Sequence, residues 1–148
     1  MEDFRIYEML NMDPVLAAQF PEIKSYVGKG INDPTSIIYF SLSPLGLQTM
    51  LLRADKPTII IEPFTTDKSV YAVYRKIDRT GLTGNFDCKT VSSQINDTKG
   101  VGALARPNAD DGIYRTFRLA LSVTGEYTTY FGGTQALALA GMNATMTR

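Results

Sequence analysis

SIIYFSLSPLGLQTMLLRADKPTIIIEPFTTDKSVYAVYRK, residues Ser36–Lys76, is the stretch that decides the fold. Apolar, β-branched and aromatic runs recur in it at close spacing, separated by turn-forming residues, which is the pattern of strands joined by short loops. Ser36–Leu42 is read as pairing with Leu47–Arg53 across Ser43, Pro44, Leu45 and Gly46, where Pro and Gly suit the dihedrals of a tight turn. Thr58–Glu62 follows across Ala54, Asp55, Lys56 and Pro57, and Val70–Lys76 across the loop from Pro63 to Ser69. The prediction is an antiparallel β-meander. Four strands cannot bury both of their faces, so a second sheet, or a helix beginning at Asp13, is required as a cover.

Upstream, Phe4, Ile6 and Glu8 alternate with Arg5, Tyr7 and Met9 in an imperfect period of two, which predicts a first strand over Phe4–Met9. Asp13 followed by Pro14 reads as a helix start, with the Asp13 carboxylate accepting from the first amides and Pro14 at the first helical position, until Pro21 ends the run. Lys24–Val27 is a further strand, closed by Gly28 and Gly30. Downstream, from Ile77 to Gly112, the chain turns polar and glycine-rich and reads as a linker. Order returns at Ile113: Phe117, Leu119, Leu121 and Val123 alternate with polar or small neighbours, the best period-two run of the chain. Gly132-Gly133-Thr134 then precedes an alanine-rich helix over Gln135–Arg148, with Thr134 as cap and Leu137, Ala140, Gly141 and Ala144 on one face. The expected organisation is α+β: a β-rich domain over 1–76, a linker over 77–112, and a strand-helix unit over 113–148 that looks like the opening of another domain. That last block is expected to be poorly anchored, its strand either joining the meander's edge or pairing with a second copy into a homo-oligomer.

The composition narrows the function. At 148 residues, 44% apolar and 20% charged, the chain is long enough to bury a core without disulfide or metal. Fifteen basic residues balance fifteen acidic ones, which leaves no net field for nucleic acid or an anionic membrane surface. There is no histidine, which excludes His-based triads, His-ligated zinc and haem with a proximal His within this chain. The lone cysteine, Cys88, excludes an internal disulfide. No apolar run reaches the length of a membrane span, and the start carries Glu2, Asp3, Arg5 and Glu8, unlike a signal peptide.

Few residues then remain for chemistry. Cys88 lies in Asn85-Phe86-Asp87-Cys88-Lys89-Thr90, where the lysine favours the thiolate, the nucleophilic and metal-binding form. Carboxylates occur at Asp110 and Asp111 as a pair and singly at Glu62, Asp67, Asp78, Asp97 and Glu126; their spacing matches no calcium loop, and they read as solvated loop acids. The glycines before Thr134 carry neither phosphate-binding signature and read as a turn into a helix. Asn96-Asp97-Thr98 and Asn143-Ala144-Thr145 match the glycosylation triplet. Tyrosines 39, 71, 74, 127 and 130 suggest either a platform for a sugar or peptide, or the ordinary strand preference of tyrosine.

The run from Tyr114 to Arg148, YRTFRLALSVTGEYTTYFGGTQALALAGMNATMTR, resembles the start of the catalytic domain in secreted bacterial zinc metallopeptidases of the reprolysin-like, metzincin class. In those proteins a strand of the form RTYRLALACTGEY leads through a glycine turn into an alanine-rich helix ending near NxTMTR. Met9–Leu51, MLNMDPVLAAQFPEIKSYVGKGINDPTSIIYFSLSPLGLQTML, resembles the pro-segment that precedes that domain. The family's metal site is HExxHxxGxxH, three histidines on zinc and a glutamate as general base, and this histidine-free chain holds none of it. The resemblance therefore implies a non-catalytic N-terminal piece of a secreted precursor: an inhibitory, folding-assisting pro-segment, a linker, and the first strand and helix of a truncated catalytic domain. The expected cofactor is zinc in the parent enzyme and none in this chain, and the expected partner is the catalytic domain of the same precursor. Cys88 becomes a candidate zinc ligand, a thiolate occupying the position of the catalytic water. Maturation is expected between Lys99 and Asp111, Lys99 being a better tryptic-type site than Arg106, which precedes Pro107. The alternative is a stand-alone β-rich module that binds a sugar or peptide.

Overall fold

In the computed structural model of the chain, residues 2–79 and 118–148 are described. Six strands form one open antiparallel sheet: β1 (Phe4–Met9), β2 (Lys24–Gly30), β3 (Ile37–Ser43), β4 (Gly46–Arg53), β5 (Lys56–Pro63) and β6 (Tyr71–Arg75), hydrogen-bonded in that order. The helices are α1 (Pro14–Gln19), α2 (Gly125–Tyr130) and α3 (Gln135–Thr147), with one 3-10 turn at Lys76–Asp78. The architecture is a small mixed α+β domain, and the predicted meander extends through all six strands. None of the described helices is long and apolar enough to cross a membrane. By contacts, the described residues 2–79 and 123–148 belong to one compact unit.

The turns follow their residues. Pro44 and Leu45 alone separate the paired Ser43 and Gly46, and Ala54 and Asp55 alone separate the paired Arg53 and Lys56. α1 starts as its sequence dictates: Asp13 Oδ1 accepts from Val15 N at 3.0 Å and Pro14 opens the helix. The β2–β3 loop is held by Asp33, whose carboxylate accepts from Thr35 N at 3.0 Å, Thr35 Oγ1 at 2.6 Å and Ser36 Oγ at 2.8 Å. These bonds, the Thr35 hydroxyl first, hold the Asp33 pKa below its usual range.

Gly28 does not close β2, which runs through it and ends at Gly30. Gly28 faces Ile6 on one side and Ile38 on the other, and a Cβ there would lie 2.6 Å from each side chain, so the bare backbone lets the two flanking isoleucines close over it.

Residues directly opposed in an antiparallel ladder share a face, so the register sorts the sheet into two sides. On one side, Met9, Ser25, Ser41 and Gln48 form a cross-strand row, next to a row containing Val27, Tyr39, Met50, Ile60 and Tyr74. On the other side run Tyr26, Phe40, Thr49, Ile61 and Val73, beside Ile6, Ile38, Leu51 and Ile59. Tyr26 and Phe40 stack there with ring centroids 4.9 Å apart.

The expected cover is present but is a different helix. α3, not α1, lies on the serine side, against β2 and β3, and α1 buries none of its residues. The buried positions of α3 are mostly small residues, Ala138, Ala140, Gly141 and Ala144 among them. Phe131, just past α2, lies over Gly141; a Cβ at that glycine would come within 2.8 Å of the ring. The C-terminal helix is thus anchored, contrary to the loose end expected from the sequence. The strand expected from Ile113 to Val123 is not found over its described part: Arg118–Val123 is neither helix nor strand, and Leu119 is 66% exposed. Its alternation is genuine, but among the described residues it has no ladder partner, and a strand needs one to exist. Residues 113–117 lie outside the described residues.

Candidate functional site

Cys88, the candidate zinc ligand, lies outside the described residues, as do Lys99, Arg106, Asn96, Asp97, Asp110 and Asp111. The acids that are described hold structure. Asp67 accepts from Ser69 N at 3.2 Å and Ser69 Oγ at 3.0 Å, and its pKa is lowered by hydroxyl and amide hydrogen bonds, that of Thr65 first. Asp78 takes a two-bond ion pair from Arg75, at 2.6 and 2.9 Å. Glu126 sits in the first turn of α2, where its own backbone amide and the Thr124 hydroxyl lower its pKa.

The second glycosylation triplet is closed by the fold, since Asn143 is 4% exposed and works inside a hydrogen-bonded cluster between α3 and β2. Ser25 Oγ donates to Asn143 Oδ1 at 3.0 Å, and Thr147 Oγ1 donates to the Asn143 carbonyl at 2.7 Å. Asn11 Nδ2 donates to Thr147 Oγ1 at 2.9 Å and to Ser25 Oγ at 3.2 Å. This cluster fixes the rotation of α3 on the sheet, because each partner is one residue type in one position. The glycines before Thr134 act as read: Gly132 and Gly133 take positive φ and the Thr134 hydroxyl accepts from Leu137 N at 3.2 Å.

The tyrosines do not build one platform. Tyr39 and Tyr74 lie on the α3 side of the sheet, Tyr71 on the other, and Tyr127 and Tyr130 on α2.

What the fold does bring together is a cleft on the α3 side, where β4, β5, the 3-10 turn and the ends of α2 and α3 meet. Its volume is about 390 Å³, and Glu62, Arg79 and Arg148 are its charged lining. Glu62 Oε1 accepts from Tyr74 Oη at 2.7 Å and Glu62 Oε2 meets Arg148 Nη1 at 3.4 Å. Burial first, then the Glu62 carboxylate beside it, holds the Tyr74 phenol above its ordinary pKa, while Arg79 and Arg148 act in the opposite sense. Gln48 supplies an amide, and Tyr130 and Phe131, edge to face at 5.0 Å, supply an aromatic wall. Strand alternation alone puts Glu62 and Tyr74 on one face, one step apart diagonally, so this pair was within reach of sequence reasoning. Arg79 and Arg148 carry no local signal: the turn after β6 brings Arg79 to the cleft and the docking of α3 brings Arg148 to Glu62.

Among the described residues no group of three or more Cys, Asp or Glu is placed to hold a metal ion. No known protein-family model, curated protein or solved structure matches the chain.

Proposed function

We propose that the chain is the N-terminal, pro-segment region of a secreted zinc metallopeptidase precursor and that its sheet docks on the catalytic domain, assisting its folding and blocking its cleft. The reading begins from the likeness of Met9–Leu51 and Tyr114–Arg148 to that class. The observation that carries it in the structure is the sheet side opposite α3. Tyr26, Phe40 and Ile61 there are only half-buried and Val73 is 65% exposed, and none of the described helices packs along them. Exposed apolar side chains on a sheet face are a surface suited to docking another domain. Arg118–Val123, alternating and exposed, is the second support: it has the pattern of a strand and, among the described residues, no ladder.

In this reading Cys88 is the inhibitory ligand. A thiolate is a strong zinc donor, and a polar linker threads through a cleft more readily than a folded element does. The three histidines and the general base belong to the parent domain; this chain contributes the thiolate and the docking sheet.

Inhibition in trans tests the reading. The purified chain is titrated into the zinc-loaded, HExxHxxGxxH-bearing peptidase domain of the same source, and peptide hydrolysis is followed. Inhibition is expected, together with its weakening by at least about tenfold in Cys88→Ser, since a metal ligand is lost. Absence of inhibition by the unaltered chain would refute the pro-segment reading, and equal inhibition by Cys88→Ser would refute the thiolate's role.

A further inference from the structure

The cleft between β4, β5 and the ends of α2 and α3 has the chemistry of a binding site that the pro-segment reading does not use. Two arginines, Arg79 and Arg148, line it with one carboxylate, Glu62, so among the described residues the lining carries an excess of one positive charge. Glu62 is already occupied on both oxygens, by the Tyr74 hydroxyl at 2.7 Å and by Arg148 at 3.4 Å. The Arg148 contact engages a single terminal nitrogen, and a guanidinium has five donors in a planar fork, so Arg148 keeps donors for a second acceptor while Glu62 orients it. Gln48 adds an amide donor on the β4 wall. The remaining walls are apolar: Leu45 and Pro63 at one side, and at the other Phe131 with Tyr130, which is 83% exposed. At about 390 Å³ the cleft is of the size that takes one or two amino-acid residues rather than a chain of them.

We propose that this cleft binds a free carboxylate attached to an apolar or aromatic group, as at the C-terminus of a peptide ending in such a residue. The planar carboxylate matches the guanidinium forks of Arg79 and Arg148, and the adjoining side chain lies against Tyr130 and Phe131. A doubly charged inorganic anion would satisfy the arginines but leave the aromatic wall without a partner. The proposal stands or falls independently of the precursor reading, because it concerns only the described residues of one compact unit.

The test is a titration followed by amide chemical shifts, using N-acetylphenylalanine and its uncharged counterpart N-acetylphenylalaninamide. The acid is expected to shift resonances of Gln48, Arg79, Phe131 and their neighbours, and to bind at least about tenfold more tightly than the amide, the value of one charge-assisted bidentate pair. Arg79→Gln and Arg148→Gln are each expected to weaken the acid about fivefold or more, whereas Glu62→Gln strengthens it by removing the competing negative charge. That rise is a response a merely structural role would not give. Equal binding of acid and amide in the unaltered chain overturns the proposal, and that comparison needs no variant to fold. Inorganic phosphate binding as tightly as the acid overturns the apolar half of it.

Discussion

Ser25 shows how much of this molecule turns on single polar side chains. It is 3% exposed, hydrogen-bonded to Asn143 and within 2.9 Å of the Thr147 hydroxyl, and it has no analogue of equal size that keeps both contacts. Replacing it by alanine leaves buried acceptors and donors of α3 unpaired, at a cost of about 1–3 kcal/mol in urea unfolding. Asp33 gives the pH dependence. Its folded pKa lies below its unfolded one, so the stability it lends is fully present above about pH 4 and is lost as the pH falls through the lower, folded value. Asp33→Asn is therefore expected to flatten the acid limb of a stability profile measured between about pH 5 and pH 2, and an unchanged limb would show that the Asp33 turn contributes nothing to it. Both residues stood in plain view in the sequence, but a serine reads the same whether it lies under a helix or faces water. Burial is decided by an element more than a hundred positions away. The described loop acids Asp67 and Asp78 are exposed, as the sequence predicts, and also hold a turn and an ion pair, a local role that sequence does encode.

At the scale of elements, sequence and structure agree wherever the cause is local. The Asp13-Pro14 start, the Thr134 cap and the Pro44-Leu45 turn each depend on residues within four positions, and each is where its residues put it. Thr134→Ala is expected to cost about 1 kcal/mol, read by thermal unfolding, because the Leu137 amide loses its acceptor. Gly141→Leu is expected to cost about 1–3 kcal/mol, since the Phe131 ring occupies the space the new side chain needs. Agreement ends where the partner is distant. The period-two run before Thr124 has the alternation of a strand and, over Arg118–Val123, no strand structure; α3, whose small-residue face gives little hydrophobic contrast, was expected to hang loose and instead lies on β2 and β3. Gly28 misled in the same way, because a glycine that stops a strand and one that admits two flanking isoleucines are spelled alike. Amide hydrogen exchange should separate these elements: α3 protected to the level of β2 and β3, and Arg118–Val123 exchanging at rates near those of an open chain.

Among the described residues the six-stranded sheet has one side on which α3 lies against β2 and β3 and another along which none of the described helices packs. That asymmetry, rather than any cluster of reactive groups, is what ties the fold to the proposed role, since an inhibitory segment works by surface and by one delivered ligand. The meander was legible because its strands are joined by short loops and pair in sequence order; its open side was not, because which side a helix covers depends on the serine row that only register reveals. Val73→Lys, on the open side and 65% exposed, is expected to change unfolding free energy by less than about 0.5 kcal/mol while weakening inhibition of the peptidase domain, a split that intact folding and a lost docking surface would produce together. The most direct test of the central claim is to read the DNA on both sides of the coding stretch. The account predicts an open frame that continues past Arg148 into HExxHxxGxxH and is preceded by a secretion signal, and a stop codon directly after Arg148 would contradict it.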